Sequence, residues 1–190
     1  MANKWYDSAT LVHPLVALEV ACGTGYWTQV LAPEASSITA TDASPEVLEF
    51  AKQKSYPPGR VTFQIADAFN LENVPGNFTA ALVAFWFSHV QRHERGRFLT
   101  ALHQRLGPGA KVVMIDNRYV EGSSTPIARS DEGGNTYQLR TLGDGTSHEV
   151  LKNFPAPAEL QALLTPVSSG LSVREFTYFW GVSYIIDGQL

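Results

Sequence analysis

Leu18-Glu19-Val20-Ala21-Cys22-Gly23-Thr24-Gly25 is a strand running into a glycine turn, and the fold follows from it. Residues 16–21 are a short apolar run of strand length, and residues 26–31 begin a helix directly after the turn. Glycines at such a turn admit backbone dihedrals closed to other residues and let a ligand lie against the main chain. Dinucleotide-binding sheets use the same device, so the glycines alone do not choose a ligand. Two neighbours do. The dinucleotide fingerprint wants a third small residue three positions after its second glycine, and Thr28 stands there. Glu19 puts a carboxylate beside the loop, where it repels a pyrophosphate but suits an ammonium group.

Outward from this turn, short apolar runs alternate with segments of helical period. Residues 37–41 are a β-branched second strand ending at Asp42. Residues 45–54 are a helix with a clear start. Ser44 is the expected N-cap, Pro45 takes the first helical position, Glu46 lies in the first turn, and Val47, Leu48 and Ala51 make the apolar stripe. Pro57-Pro58-Gly59 stops that helix, and residues 61–66 alternate as a third strand before Asp67. Residues 78–86 are almost continuously apolar, as in a central strand covered on both faces. Phe98, Leu99, Leu102 and Leu106 repeat at helical spacing over 95–106, and Gly107-Pro108-Gly109 ends that helix. Residues 111–115 form a fifth strand closing at Asp116. Such alternation predicts an α/β fold: a Rossmann-like, doubly wound, mostly parallel sheet.

Beyond Asn117 the alternation stops. A Gly/Ser-rich stretch leads to residues 136–141 and 146–151, which flank Gly143-Asp144-Gly145 and predict a β-hairpin. Residues 157–164 are a short helix. Residues 171–180 and 181–186 are two tightly joined strands, so an antiparallel final strand is expected. The expected organisation is a single domain over 1–190, with 1–15 as a short N-terminal cap and 117–154 as a substrate-side insertion. Long insertions of this kind are usually functional. The hairpin carries Tyr137, Leu139 and Arg140 on one arm and His148 and Val150 on the other, and is expected to wall a ligand pocket. The alternative is an oligomer interface, as in a homodimer, because its edge can pair.

Composition narrows the function. The 190 residues suffice for one substantial core, at 44% hydrophobic and 17% charged. A net charge of −4 argues against a basic nucleic-acid-binding face, and no nucleic-acid partner is expected. The single cysteine, Cys22, excludes an internal disulfide framework and a multi-cysteine zinc site; it reads as a small buried packing residue, and no metal is expected. Met1-Ala2-Asn3-Lys4-Trp5-Tyr6-Asp7 lacks the apolar run of a signal peptide, and no stretch is long enough to span a bilayer. A cytoplasmic protein without a membrane partner is the expectation.

Candidate chemistry gathers at the strand ends. Asp42 closes the second strand nineteen residues after Gly23, near the roughly 20-residue spacing at which an acid meets ribose hydroxyls. A carboxylate can accept from both hydroxyls of a ribose diol, and such charge-assisted bonds are the strong kind. Asp67 closes the third strand in Ile65-Ala66-Asp67-Ala68, where an acid can accept from an adenine amino group. Taken singly, Glu19 also reads as a surface charge and Asp42 as a competing N-cap. Jointly, three acids at adjacent strand ends fall where open α/β sheets bind ligands.

On these residues the chain resembles the class I, Rossmann-like S-adenosylmethionine-dependent methyltransferases. Residues 19–25 are similar to the family's first motif, Thr41-Asp42-Ala43-Ser44 to its second and Ala66-Asp67-Ala68 to its third. Phe85-Trp86-Phe87-Ser88-His89-Val90 resembles the segment after strand four, where family members contact the methionine part of the cofactor. Leu106-Gly107-Pro108-Gly109-Ala110 resembles the turn entering strand five, and the closing strand pair fits the family's reversed last strand. The resemblance covers residues 15–117 well. It implies S-adenosylmethionine as cofactor, contacted by Glu19, Gly23, Gly25, Asp42, Ala43, Asp67, Ala68 and Trp86. It departs before strand one, where barely fifteen residues precede the strand. Family members carry a helix there that closes over the cofactor. Either a reduced lid, with Trp5-Tyr6-Asp7 as part of it, or further residues upstream are expected.

The same resemblance implies methyl transfer to a small-molecule acceptor by in-line displacement. A sulfonium makes its methyl group a good electrophile, so the protein has to place a nucleophile in line and exclude water. A base is needed only for a hydroxyl or a protonated amine. His89 is the candidate base, with a hydrogen-bonded structural role as its other reading. His13, His93, His103 and His148 read as surface residues. Asn117, Arg118, Tyr119, Tyr137 and Arg140 are the candidate substrate-binding residues, although Asp116 and Asn117 also read as caps of the turn after strand five. Trp27 is expected to pack against or shield the pocket. Two rivals remain: a non-catalytic S-adenosylmethionine-binding module, and a nicotinamide-dependent oxidoreductase, which Thr28 and Glu19 disfavour. A nucleic-acid amino-methyltransferase is disfavoured by Phe85-Trp86-Phe87-Ser88, which stands in place of an Asp/Asn-Pro-Pro-aromatic clamp.

Overall fold

The computed structural model describes residues 14–188. Strands β1 (Val16–Val20), β2 (Ser37–Asp42), β3 (Val61–Ile65), β4 (Ala80–Ala84) and β5 (Lys111–Asn117) are interleaved with helices α1 (Tyr26–Leu31), α2 (Pro45–Lys52) and α3 (Arg95–Leu106). Then come β6 (Ile127–Ser130), β7 (Thr136–Thr141), β8 (Ser147–Leu151), α4 (Pro157–Leu164), β9 (Ser168–Glu175) and β10 (Phe179–Ile186). The main sheet runs β3-β2-β1-β4-β5-β10-β9, and β6-β7-β8 make a separate antiparallel sheet.

Side-chain alternation along β1 explains why the sheet is covered on both faces. Leu18 and Val20 join one apolar cluster with Phe98, Leu99 and Leu102 of α3 and Leu160 and Leu164 of α4. Ala17 joins another with Ile38, Ala40 and Leu48 of α2. The start of α2 is as expected: the Ser44 hydroxyl accepts from the Val47 N–H at 3.2 Å, with Pro45 following.

Register aligns the strand ends. Val20 lies opposite Thr41 on one side and Val83 on the other, Asp42 opposite Ile65, and Ala84 opposite Ile115. The carboxyl ends of the five parallel strands therefore share one edge. Order reverses at β1, which sits between β2 and β4, and that switch point is where a doubly wound sheet opens a crevice for ligands.

Three details differ from the expectations. The turn before the last strand falls at 176–178, closed by Phe176 N–H donating to Phe179 O at 2.8 Å, so Trp180 lies inside β10. Phe176-Thr177-Tyr178-Phe179-Trp180, aromatic and β-branched with no glycine or proline, hid that turn, while Trp180, Val182, Tyr184 and Ile186 alternate into the core. Strand β6 was not expected at all, because its four residues are all exposed and have no alternation to read. His103 is buried rather than a surface residue: its Nε2 lies 2.8 Å from the Tyr184 hydroxyl, and burial lowers its pKa. Its spacing of four from Leu99 put it on the inward stripe of α3. His93 and His148 are exposed. His13 and, but for Pro14 and Leu15, the 1–15 cap lie outside the described residues.

Candidate functional site

The loop after β1 is built from left-handed backbone. Ala21, Gly23 and Gly25 have φ of 54°, 56° and 78°. At Gly25 an added Cβ would stand 2.5 Å from the Tyr56 hydroxyl oxygen and 3.1 Å from Ala51 Cβ, so glycine lets α1 begin hard against α2. At Gly23 it would meet nothing within 4 Å, which leaves the main chain open for a ligand's approach. Cys22 N–H donates to Thr41 O at 2.8 Å and ties the loop to β2.

Asp42 completes that tie. Its Oδ2 accepts from Gly23 N–H at 2.9 Å and its Oδ1 from Ser44 N–H at 3.0 Å. Each oxygen keeps a further lone pair for a ligand. Ala66 N–H donates to Asp42 O at 3.0 Å and holds the ends of β2 and β3 side by side. Asp67 is exposed, with Oδ1 accepting from Phe69 N–H at 2.9 Å; Ala43 is exposed and Ala68 buried.

Glu19 is only 1% exposed, and its Oε2 has no hydrogen-bond partner. Buried carboxylate oxygens are rarely left so. Burial pushes its pKa up to about 7, and the neighbouring Thr28 hydroxyl, which also lacks a well-formed hydrogen bond, offsets only part of that rise. Cys22 is buried as expected. Its thiol is pushed up to about 12 by burial, with the charges of Glu19 and Asp42 adding, so it is unreactive at neutral pH.

Beside this loop opens a cleft of about 660 Å³, lined by Cys22, Gly23, Trp27, Ala84, Phe85 and Phe179 among others. Phe85 has φ 57°, a conformation costly for a bulky residue. The strained backbone sets its ring edge-on to Phe179 at 5.6 Å and within 6.1 Å of Trp27. Trp86 is half-buried between Phe69 and His89, each 6.5 Å away by ring centre, and its buried Nε1–H has no partner.

A second cluster joins the insertion to the sheet. Lys152, directly after β8, donates from Nζ to Ser88 Oγ at 2.7 Å and to Asp116 Oδ1 at 3.3 Å, and lies 3.5 Å from His89 Nε2. Asp116 Oδ2 accepts from Ser88 N–H at 2.8 Å, and its Oδ1 accepts from Asn117 N–H at 2.7 Å. Asn153 N–H donates to Ser88 O at 2.8 Å, and its Nδ2 to Val90 O at 3.0 Å. Burial, then the Lys152 charge, lowers the pKa of His89 and favours its neutral form. Sequence reasoning missed Lys152: one lysine after an apolar pair carries no signal, and only the hairpin's docking buries it.

The five candidate substrate residues divide. Arg140 lies two positions beyond Gln138 on the hairpin face that buries Gln138 and Lys152, since the register sets Gln138 opposite Val150 and Arg140 opposite His148. Tyr137 lies on the other face, where its hydroxyl donates to Asp131 Oδ2 at 3.0 Å and the Arg129 guanidinium covers its ring at 3.7 Å. Arg118 braces the turn between β9 and β10, donating to Phe176 O at 2.6 Å and pairing with Glu175 at 2.7 Å. Tyr119 packs edge-on to Phe154 at 5.4 Å, and Asn117 is half-buried at the end of β5. The structure thus brings His89, Lys152 and Asp116 together, places Arg140 on the same hairpin face as Lys152, and holds Arg118 and Tyr137 in contacts of their own.

Known proteins resemble this chain in sequence and fold. A family model described as a methyltransferase domain matches residues 17–109. The chain is 26% identical over 198 residues to a ubiquinone biosynthesis O-methyltransferase of Xanthomonas euvesicatoria pv. vesicatoria, covering 92% of this chain and 78% of that protein. It is 33% identical over 122 residues to a 2-phytyl-1,4-naphtoquinone methyltransferase of Nostoc punctiforme, but spans only 51% of that relative. Among solved structures, the DhpI-SAH complex superposes with a TM-score of 0.73 at 29% identity, covering 92% of this chain and 78% of that one. The glycine turn with its ordered acids, the sheet order and these likenesses converge: the chain belongs to the class I, Rossmann-like S-adenosylmethionine-dependent methyltransferases.

Proposed function

We propose that Glu19, Gly23, Gly25, Asp42, Ala43, Asp67, Ala68 and Trp86 hold S-adenosylmethionine along the carboxyl edge of β1 to β4, and that a small-molecule acceptor stands beside it. One observation carries the assignment: the unpartnered, buried Glu19 oxygen next to an open glycine turn. A carboxyl group so placed wants a cationic donor, and the ammonium of a methionine moiety is one. Bound there, the cofactor supplies a sulfonium-activated methyl group. Asp42 accepts from the ribose hydroxyls with the lone pairs left by Gly23 and Ser44, and Asp67 accepts from the adenine amino group. Trp27, Phe85 and Phe179 exclude water from the cleft. His89, kept neutral by burial, takes a proton at Nε2 where the acceptor is a hydroxyl.

The insertion forms one wall of the acceptor pocket, a role supported by the Lys152 and Asn153 bonds that fasten it to Ser88. A second role is favoured by Ile127, Leu139 and Leu142, all exposed on this small sheet. A second copy of the chain pairing along it would make a homodimer. Replacing residues 137–151 by a Gly/Ser linker separates the two, since only the dimer role changes the mass in solution. Titration calorimetry tests the cofactor assignment itself: S-adenosylmethionine and S-adenosylhomocysteine bind, and NAD does not. Tight NAD binding with no response to the methyl donor would overturn it.

A further inference from the structure

The surplus of positive charge on the acceptor side has no counterpart elsewhere in the site. Arg140 has no hydrogen bond or ion pair among the described residues, although it shares a hairpin face with Lys152 and its charge is felt by both Lys152 and His89. Three of the insertion's five acids are engaged away from it. Glu149 pairs with Arg129 at 2.7 Å, Asp131 accepts from Asn135 and Tyr137, and Asp144 accepts from Thr146. Asp116 is the carboxylate inside the cluster, and Lys152 already neutralises it. Trp86 adds a buried Nε1–H with no acceptor, on a ring 6.5 Å from that of His89. An unpaired guanidinium on the hairpin face of Lys152 and an unpaired indole donor beside His89 stand in a chain whose net charge is −4. Both lack the same thing, an anionic acceptor of hydrogen bonds.

Resting on the methyl-transfer reading above, we infer that the methyl acceptor is an acid whose anionic oxygens, of a carboxylate or a phosphoryl group, are received by Arg140 at the mouth of the pocket and by Trp86 within it. Lys152 and His89 stand behind that anion, and Lys152 raises the local potential there. A planar guanidinium suits either group, because both offer two oxygens to its paired N–H donors. The arrangement also orients the acceptor. An anion held at the hairpin leaves the rest of the molecule to reach toward the aromatic cleft beside Gly23.

Inorganic phosphate and acetate, titrated calorimetrically into the protein with and without saturating S-adenosylhomocysteine, test this. At least one of the two binds, and the stronger names the group. Arg140→Gln weakens that binding at least about tenfold, while Arg129→Gln, on β6 and the opposite face of the same small sheet, leaves it unchanged. Arg140 is exposed and its side chain has no partner among the described residues, so Arg140→Gln keeps the wild-type melting temperature, whereas Arg129→Gln gives up its pair with Glu149 and melts slightly lower. Failure of both anions to bind overturns the inference, as does equal binding by Arg140→Gln and wild type. Loss of S-adenosylhomocysteine binding instead strikes the cofactor assignment, and the titration without it still decides the anion site.

Discussion

Lys152 Nζ lies 3.3 Å from Asp116 Oδ1, with the lysine side chain 5% exposed and the aspartate fully buried. The pair bridges the segment after β8 and the end of β5. Its two backbone acceptor bonds, from Ser88 and Asn117, leave Asp116 well satisfied, so removing the cation strands a charge that cannot move to water. Lys152→Met therefore destabilises the fold by about 3 kcal/mol. Urea denaturation of Lys152→Met, Asp116→Asn and the double variant measures the coupling. Additive losses would mean that the pair does not fasten the insertion.

Glu19 makes stability and cofactor affinity depend on pH in opposite directions. Its folded pKa of about 7 stands above the ordinary 4.5. Its contribution is thus fully present below that ordinary value and is lost as pH rises through about 7, amounting to about 3 kcal/mol. A bound ammonium favours the carboxylate and releases the proton, so affinity for S-adenosylhomocysteine rises between about pH 6 and about pH 8. Glu19→Gln flattens both profiles. Calorimetry in buffers of different ionisation enthalpy checks the proton release.

Asp42 braces the loop, and under the proposed cofactor assignment it also holds the ribose. Asp42→Ala loses two charge-assisted bonds to the ribose at roughly 1.5–3 kcal/mol each, weakening S-adenosylhomocysteine at least about a hundredfold. It also strands the Gly23 and Ser44 N–H groups, so the melting temperature falls as well. Asp42→Asn, which keeps one acceptor oxygen, lies between. An unchanged dissociation constant in Asp42→Ala would reduce the residue to a brace of the loop.

Ala21 holds φ 54° at the end of β1, where a side chain costs about 1–2 kcal/mol relative to glycine. Glycine's greater freedom in the unfolded chain takes back part of that. Ala21→Gly stabilises the protein by about 0.5–1 kcal/mol, measured by urea denaturation. A loss of stability would mean that the Ala21 methyl packs more strongly than its backbone is strained.

The five parallel strands, Ser44 as the cap of α2, and the placing of Glu19, Asp42 and Asp67 at strand ends were legible because each rests on local information. Apolar runs, a glycine turn and a hydroxyl before a proline act over a few residues. The turn at 176–178 was not legible, since Phe176, Phe179 and Trp180 are all apolar and the break is visible only in how β10 pairs with β5 and β9. Strand β6 lacks alternation because the sheet it joins covers neither of its faces.

By itself, the sequence determined the parallel sheet and its carboxyl edge, because period, turn chemistry and capping are properties of short segments. Which polar residues meet was decided by tertiary structure alone. Ser88, Asp116 and Lys152 come from three segments that converge when the insertion docks, and Tyr137 and Arg140 part company because a strand sends neighbours three apart to opposite faces. Burial decided the rest. Glu19 is a surface acid in composition and a carboxyl poised near neutrality in the fold, because desolvation depends on what packs around a residue and leaves no mark in the residue's own sequence.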